Sequence, residues 1–439
     1  MGALVGRAVS AVLMFLLTAG APAHATVQYY GLTDDSTLAG QLKPLRDAQL
    51  IAGTGANSAR ITVDWSYVEK APGALNLALY DPIYQAWTSA GIRPILVVTG
   101  APAWARDPAV ACPPDQTCHA PPTRQNDVGW FHFVGAVARR YPLAAAIEVW
   151  NEPNYGGFWL PAPDPDRYSQ LLRLAYLAVK AANPAMPVLG GSLASDVSNE
   201  ESAQEWGIRP FLHAMYRHRA RGTMDGISLH PYPNNRADGG VYDAIDAALE
   251  ARDDARDHVP LWLTEVGASS TDPALGETGQ ATLLGDLVPR LLRRPDVKGV
   301  YVYTLIDTNG ASGLEAGYGL VRLDQTLKPA YCTVAAAFGI VPPCATPTAS
   351  PDQVARWDAQ ERVQAAAEAA LRHFQLRRSY HGFVVPAGDG VGASDMPDVS
   401  DGVQLCDKLL PDPKYCIGAV HGGPWRFTAR SSDGTVTTW

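Results

Sequence analysis

Ala144-Ala145-Ala146-Ile147-Glu148-Val149-Trp150-Asn151-Glu152-Pro153-Asn154 is the stretch on which the fold turns. Its apolar first part reads as a buried strand, with a helical segment before it and a Trp/Tyr/Gly-rich loop after it. A carboxylic acid, Glu152, and an amide, Asn151, thus stand side by side where a strand emerges into a loop. In a β/α barrel that is the face on which sites are built. The motif has this meaning if the rest of the chain supplies the other strands and a second carboxylate.

The strands are there. Short apolar runs at 27–32, 58–63, 94–99, 147–150, 186–190, 225–230, 260–265 and 299–305 alternate with amphipathic stretches at 38–51, 80–91, 127–141, 166–182, 210–219, 241–256, 278–294 and 328–338. Pro44 is expected to kink the first of these helices. Eight strand–helix repeats predict a (β/α)8 barrel over residues 26–340, an α/β fold. The rival, a doubly wound sheet, is announced by a glycine-rich turn after its first strand. Gly53-Thr54-Gly55 precedes a strand instead, and Gly191-Ser192 lacks the Gly-x-Ser-x-Gly elbow of serine hydrolases.

The 439 residues are 47% apolar and 18% charged, with a net charge of −9, enough for a large domain and a smaller one. The acidic balance and the lack of a long Lys/Arg run argue against nucleic acid as a partner. Residues 1–25 read as a signal peptide. Arg7 precedes an apolar Ala8–Leu17, and Ala23-His24-Ala25 is a small-x-small cleavage site, so the mature chain is expected to start at Thr26, outside the cytoplasm. A membrane anchor is the rival reading, but the apolar run is short for a bilayer and no later stretch is long enough to span one. Six cysteines fall as near neighbours, Cys112 with Cys118, Cys332 with Cys344 and Cys406 with Cys416. In an exported protein local disulfides are the simplest reading, although six cysteines allow 15 pairings. Metal binding by Cys112, Cys118 and His119 is a weaker alternative.

A Pro/Thr/Ser linker at 341–352 leads to a small α+β module at 353–439. An amphipathic helix is expected over 354–376, then short strands around 416–420 and 425–429. One long helix, a small antiparallel sheet and a late Cys pair resemble, by pattern alone, the globular part of a type IV pilin. The module lacks a pilin's hydrophobic N-terminal helix and processing leader, and a small ligand-binding or spacer module fits as well.

The strand ends supply the second carboxylate. Strand 7 ends Thr264-Glu265-Val266-Gly267, strand 6 ends His230-Pro231-Tyr232, and strand 2 begins Ser58-Ala59-Arg60. Trp-Asn-Glu-Pro-Asn on strand 4 with Thr-Glu-Val-Gly on strand 7 resembles the clan A glycoside hydrolases, retaining barrel enzymes with their acid and nucleophile on these two strands. Within the clan the chain is most similar to family 39 and its bacterial exopolysaccharide-hydrolase relatives, which also resemble it at Tyr318–Val321 and Lys328–Tyr331. The resemblance spans about residues 27–340.

It implies a secreted glycosidase acting on a carbohydrate, with no cofactor and no metal. Glu152 is the implied acid/base and Glu265 the implied nucleophile. Retention needs the two carboxyl groups about 5 Å apart, one protonated and one ionised. Burial or the charge of Glu265 would keep the proton on Glu152. Arg60 and Tyr232 would steady Glu265, Asn151 would bond the sugar 2-hydroxyl, and His230 would orient the carboxylates or the substrate. Trp104, Tyr155 and Trp159 lie past strands 3 and 4, where sugar rings could stack on them or where they could pack the loops. Tyr301 and Tyr303 stand on strand 8, where clan members often place a Trp under the sugar. Glu148, inside strand 4, reads as structural. Asp64, Asp196 and Asp307 lie near strand ends without a motif behind them. Two other classes stay open: a glycan-binding barrel without catalysis, and an appendage component directed by the C-terminal module.

Overall fold

A computed structural model describes residues 28–34, 43–112, 118–233 and 240–340, together with the backbones of four later strands. The elements run β1 (Tyr29–Thr33), α1 (Pro44–Gly53), β2 (Ser58–Asp64), the short α2 (Trp65–Val68), α3 (Asp81–Ser89), β3 (Arg93–Thr99), α4 (Asp127–Arg140), β4 (Ala146–Val149), α5 (Pro165–Ala182), β5 (Val188–Ala194), α6 (Ile208–Arg217), β6 (Gly226–His230), α7 (Val241–Asp254), β7 (Leu261–Val266), α8 (Gly276–Leu291), β8 (Val297–Val302) and α9 (Pro329–Ala337). β1 to β8 form a closed barrel in sequence order. Each neighbouring pair is parallel, and β1 pairs with β8 through Tyr29↔Gly299 to Leu32↔Val302. This is the (β/α)8 fold that the alternating pattern predicts.

Two apolar layers follow from the period-2 alternation of strand side chains. Outward residues such as Ile61, Leu96, Ile147 and Leu263 pack under the helices. Inward, a smaller cluster of Tyr29, Ile95, Ala146, Leu189, Trp262 and Tyr301 fills the barrel. Trp262 fits there because Gly226 and Gly299 face it; a Cβ on either would come within 2.6 Å of the indole. The next inward residues toward the strand C-termini include Arg60, Glu148 and Thr264, all buried. The interior thus changes from apolar to ionic within one layer.

Several boundaries differ from expectation. Pro44 does not kink a helix; it starts one, at the first turn. Proline lacks an N–H that this position leaves unbonded anyway, and its φ suits a helix start. Residues 38–42 of the expected helix lie outside the described residues. β5 is longer than expected and carries a register shift between Gly191 and Leu193. β8 ends at Val302, so Tyr303 already belongs to the rim.

Cys112 and Cys118 form the expected disulfide, and Cys332 is disulfide-bonded. Cys344 and Cys406 lie outside the described residues, as does the side chain of Cys416. The signal segment, the linker and the helix expected over 354–376 also lie outside them. In the C-terminal part, β9 (Gly402–Gln404), β10 (Tyr415–Val420), β11 (Arg426–Arg430) and β12 (Val436–Thr438) form an antiparallel sheet of order β12-β11-β10-β9. No described helix is long and apolar enough to cross a membrane.

Candidate active site

The Trp150–Asn154 turn is built by backbone conformations that side chains other than glycine rarely adopt. Trp150 and Glu152 have φ of 71° and 44°, and such residues persist where their surroundings hold them. Trp150 is fully buried, its Nε1 donates to Phe158 O at 2.7 Å, and its ring packs on Trp130 and Trp159. The Glu152 N–H donates to Ser192 O at 2.9 Å. Asn154 ties the far end, donating to Ala194 O and Trp206 O and accepting from Ala194 N. The turn is therefore bolted to β5, and it delivers Asn151 and Glu152 over the barrel mouth.

Arg60 is the hub. Its Nε donates to Glu148 Oε2 at 2.5 Å, its Nη1 to Glu265 Oε1 at 2.5 Å and its Nη2 to Asn151 Oδ1 at 2.9 Å. Tyr232 donates its hydroxyl to the other oxygen of Glu265 at 2.6 Å. Glu148 Oε1 accepts from Thr264 Oγ1 at 2.7 Å. Burial works against ionised Glu148, but the charge and hydrogen bond of Arg60, with the Thr264 bond, outweigh it and hold the carboxyl below its ordinary range.

His230 joins the two carboxylates. Its Nδ1 lies 2.8 Å from Glu152 Oε1 and 3.6 Å from Glu265 Oε2. Its Nε2 lies 3.1 Å from Ser192 Oγ and 3.4 Å from Arg60 Nη2. A guanidinium can only donate, so Nε2 is the acceptor and Nδ1 carries the proton. The ring is fully buried, and burial lowers its pKa to about 4. Neutral His230 thus donates to Glu152 Oε1 and leaves Oε2 to hold an acid proton. Burial raises Glu152 to about 7, with Arg60 pulling the other way. Of the two causes expected for a retained proton, burial is the one at work.

Glu152, His230 and Glu265 offer one donor atom each within 4.8 Å of one another. One imidazole and two carboxylates could in principle group around a cation. Here Arg60 and Tyr232 already cap Glu265, and the Nδ1 that faces the carboxylates bears a proton. The constellation is better matched to moving a proton than to holding an ion.

The aromatic expectations fare unevenly. Trp159 is 1% exposed and packs on Trp150 and Tyr168, so it is core and cannot stack on a sugar. Trp104 is half-buried; its ring meets Trp65 edge-on and its Nε1 donates to Glu69 O. Tyr155 is 41% exposed on the loop after β4. Tyr303 stands on the rim beside Tyr232 and Tyr318, with ring centroids 6.1 and 5.4 Å away. Tyr301 lies below, buried, with its hydroxyl donating to Ser58 Oγ. Among the strand-end aspartates, Asp64 caps α2, Asp196 closes a turn at Ser198 and Asp307 pairs with Lys328. Ser192, Thr264 and Glu148 are the members of the network that reading the sequence did not place there. For Glu148 and Thr264 a signal exists: each lies two residues beyond an inward barrel residue, Ala146 and Trp262. Ser192 depends on the β5 irregularity and leaves none.

No family model matches the sequence. A curated β-xylosidase from Geobacillus stearothermophilus is 24% identical over 226 residues, which cover 46% of this chain and 42% of the relative. The chain thus spans less than half of that relative's length. A family 39 glycoside hydrolase from Bacteroides cellulosilyticus WH2 superposes with a TM-score of 0.55 at 23% identity, covering 72% of this chain and 64% of its own. The fold is shared with glycoside hydrolases. A family 5 enzyme from Streptomyces cattleya, solved with Manβ1-4GlcNAc, gives a TM-score of 0.54 at 18% identity, with coverage of 77% and 92%. At these identities the likeness is one of architecture, and the chemistry has to be argued from the side chains.

Proposed function

We propose that this chain is an exported retaining glycosidase that hydrolyses O-glycosidic bonds by double displacement. The observation that carries the proposal is the placement of Glu152 and Glu265 oxygens within 4.8 Å of one another, across one histidine. Retaining enzymes hold their carboxyl groups about 5–5.5 Å apart, whereas inverting ones leave about 6.5–9.5 Å for a water. The different surroundings of the two groups support distinct roles. Glu152, raised to about 7, is the acid. Glu265, facing a guanidinium and a phenol, has the surroundings of an anionic nucleophile.

In the first step Glu265 attacks the anomeric carbon as the bond to the leaving oxygen breaks, and Glu152 gives that oxygen its proton. The glycosyl ester then forms on Glu265. In the second step Glu152, now ionised, takes a proton from water, whose oxygen attacks the anomeric carbon and releases Glu265. Arg60 and Tyr232 stabilise the carboxylate as it departs. Asn151, held by Arg60, presents its side chain to the 2-hydroxyl. The carbohydrate is the partner; the likeness to a β-xylosidase makes aryl β-xylosides the first substrates to try. Export rests on the N-terminal segment and fits the disulfides.

The test is a panel of aryl glycosides and polysaccharides with wild type, Glu152→Gln and Glu265→Gln. On substrates with poor leaving groups, which need the acid, both variants are expected to lose at least about a thousandfold in kcat/KM, roughly 4 kcal/mol of transition-state stabilisation. Near-wild-type turnover by either would remove that residue from the reaction.

A further inference from the structure

The double displacement makes no use of Glu148, yet Glu148 is a fully buried charge at the hub of the site. We propose that Glu148 is a positioning residue for this reaction. It locks the Arg60 guanidinium in its plane and shares its charge, so that Arg60 steadies Glu265 without drawing the proton off Glu152. This inference rests on the glycosidase reading.

The geometry gives each edge of the guanidinium a separate task. Glu148 takes Nε, Glu265 takes Nη1, and Asn151 takes Nη2. A guanidinium is planar, so the bond at Nε fixes the directions of both terminal nitrogens. The other Glu148 oxygen accepts from Thr264, the residue directly before Glu265. A single carboxylate on β4 therefore cross-braces β2, which carries Arg60, and β7, which carries the proposed nucleophile. A role limited to filling the barrel would not call for a charge. One layer below, Trp262 and Tyr301 fill the same space with rings, and burying an ion pair costs as much as it returns.

The charge count points the same way. Arg60 from β2 acts on Glu152, His230 at the end of β6 bonds it, Tyr232 and Glu265 lie beside it, and Glu148 bears on it through Arg60. Glu315, on the loop after β8, feels the charge of Glu152. Arg60 is the cation of this group and His230 is neutral. With Glu148 ionised, the Glu148–Arg60–Glu265 trio carries one net negative charge, which favours a proton on Glu152. With Glu148 neutral, the trio carries none, and Arg60 bears harder on both catalytic carboxyl groups.

Glu148→Gln tests this, because it keeps the shape and the acceptor oxygen and removes the charge. The probe is an unsubstituted phenyl glycoside of the sugar wild type prefers, whose poor leaving group needs the acid, followed across pH. The alkaline limb of kcat/KM, set by loss of the Glu152 proton, is expected to move down by about one pH unit, and kcat to fall about tenfold with little change in KM. Glu148→Asp keeps the charge but loses reach, so its limb should stay in place while kcat falls. A Glu148→Gln limb and kcat that match wild type would overturn the proposal. If Glu148→Gln does not fold, Glu148→Asp decides: wild-type kcat in that variant contradicts the positioning role, and a displaced limb contradicts the charge role. If Glu152→Gln and Glu265→Gln abolish activity while Glu148→Gln behaves as wild type, this inference alone fails. If the first two stay active, the glycosidase assignment itself fails.

Discussion

A general acid has to hold its proton at neutral pH and hold it on the oxygen that meets the leaving group. In the proposed mechanism burial does the first for Glu152, and His230 does the second by donating to Oε1. Activity is therefore expected to decline as pH rises through about 7, where Glu152 loses its proton; a pH profile of kcat/KM checks this. Ser192 acts one step back, because its hydroxyl helps to keep Nε2 of His230 an acceptor. Ser192→Ala should lower kcat about tenfold on glycosides with poor leaving groups, which need the acid. Dinitrophenyl glycosides, which do not need it, should change by less than about twofold. A uniform loss on both would mean a general disturbance of β5. Asn151, Glu152 and Glu265 are legible in the sequence because their motifs sit at strand ends. Ser192 is not, since a Gly-Ser pair in a strand says nothing until the register shift turns its hydroxyl toward His230.

At the level of elements, the turn after β4 stands on an aromatic stack. Trp150, Trp130 and Trp159 hold a left-handed backbone in place, and Trp159 belongs to this support rather than to the sugar. A Trp in a loop past a strand reads equally well as a platform or as packing, since residue type does not reveal burial. Trp159→Ala should cost about 3–5 kcal/mol of stability, measured by thermal or denaturant unfolding; a loss of substrate affinity without loss of stability would restore the stacking role. The Cys112–Cys118 bridge closes a separation of six residues. Replacing both by Ser should cost about 2 kcal/mol or less, by the loop-closure argument, with kcat unchanged. Strand periodicity could also have flagged Glu148. An ionisable group on the inward face of a barrel strand must find a partner, and Arg60 lies on the inward face of β2.

At the scale of the whole molecule, β1 pairs with β8 and the barrel closes within residues 29–302. Eight apolar runs alternating with amphipathic stretches made that fold readable, because each layer needs the next to bury its face. The exact ends of the elements were less readable, since proline at a helix start and proline within a helix look alike in one sequence. Closure also predicts independence: a chain ending at Pro351 should keep wild-type kcat/KM on aryl glycosides, and a large loss would tie the C-terminal part to catalysis. The central claim is that Glu265 attacks the sugar. Its most direct test is mass spectrometry of the protein after treatment with a 2,4-dinitrophenyl 2-deoxy-2-fluoro-glycoside of the preferred sugar. A fluoroglycosyl adduct on the peptide bearing Glu265, absent from Glu265→Gln, is the predicted result. An adduct on another residue, or inverted product with no adduct, would contradict it.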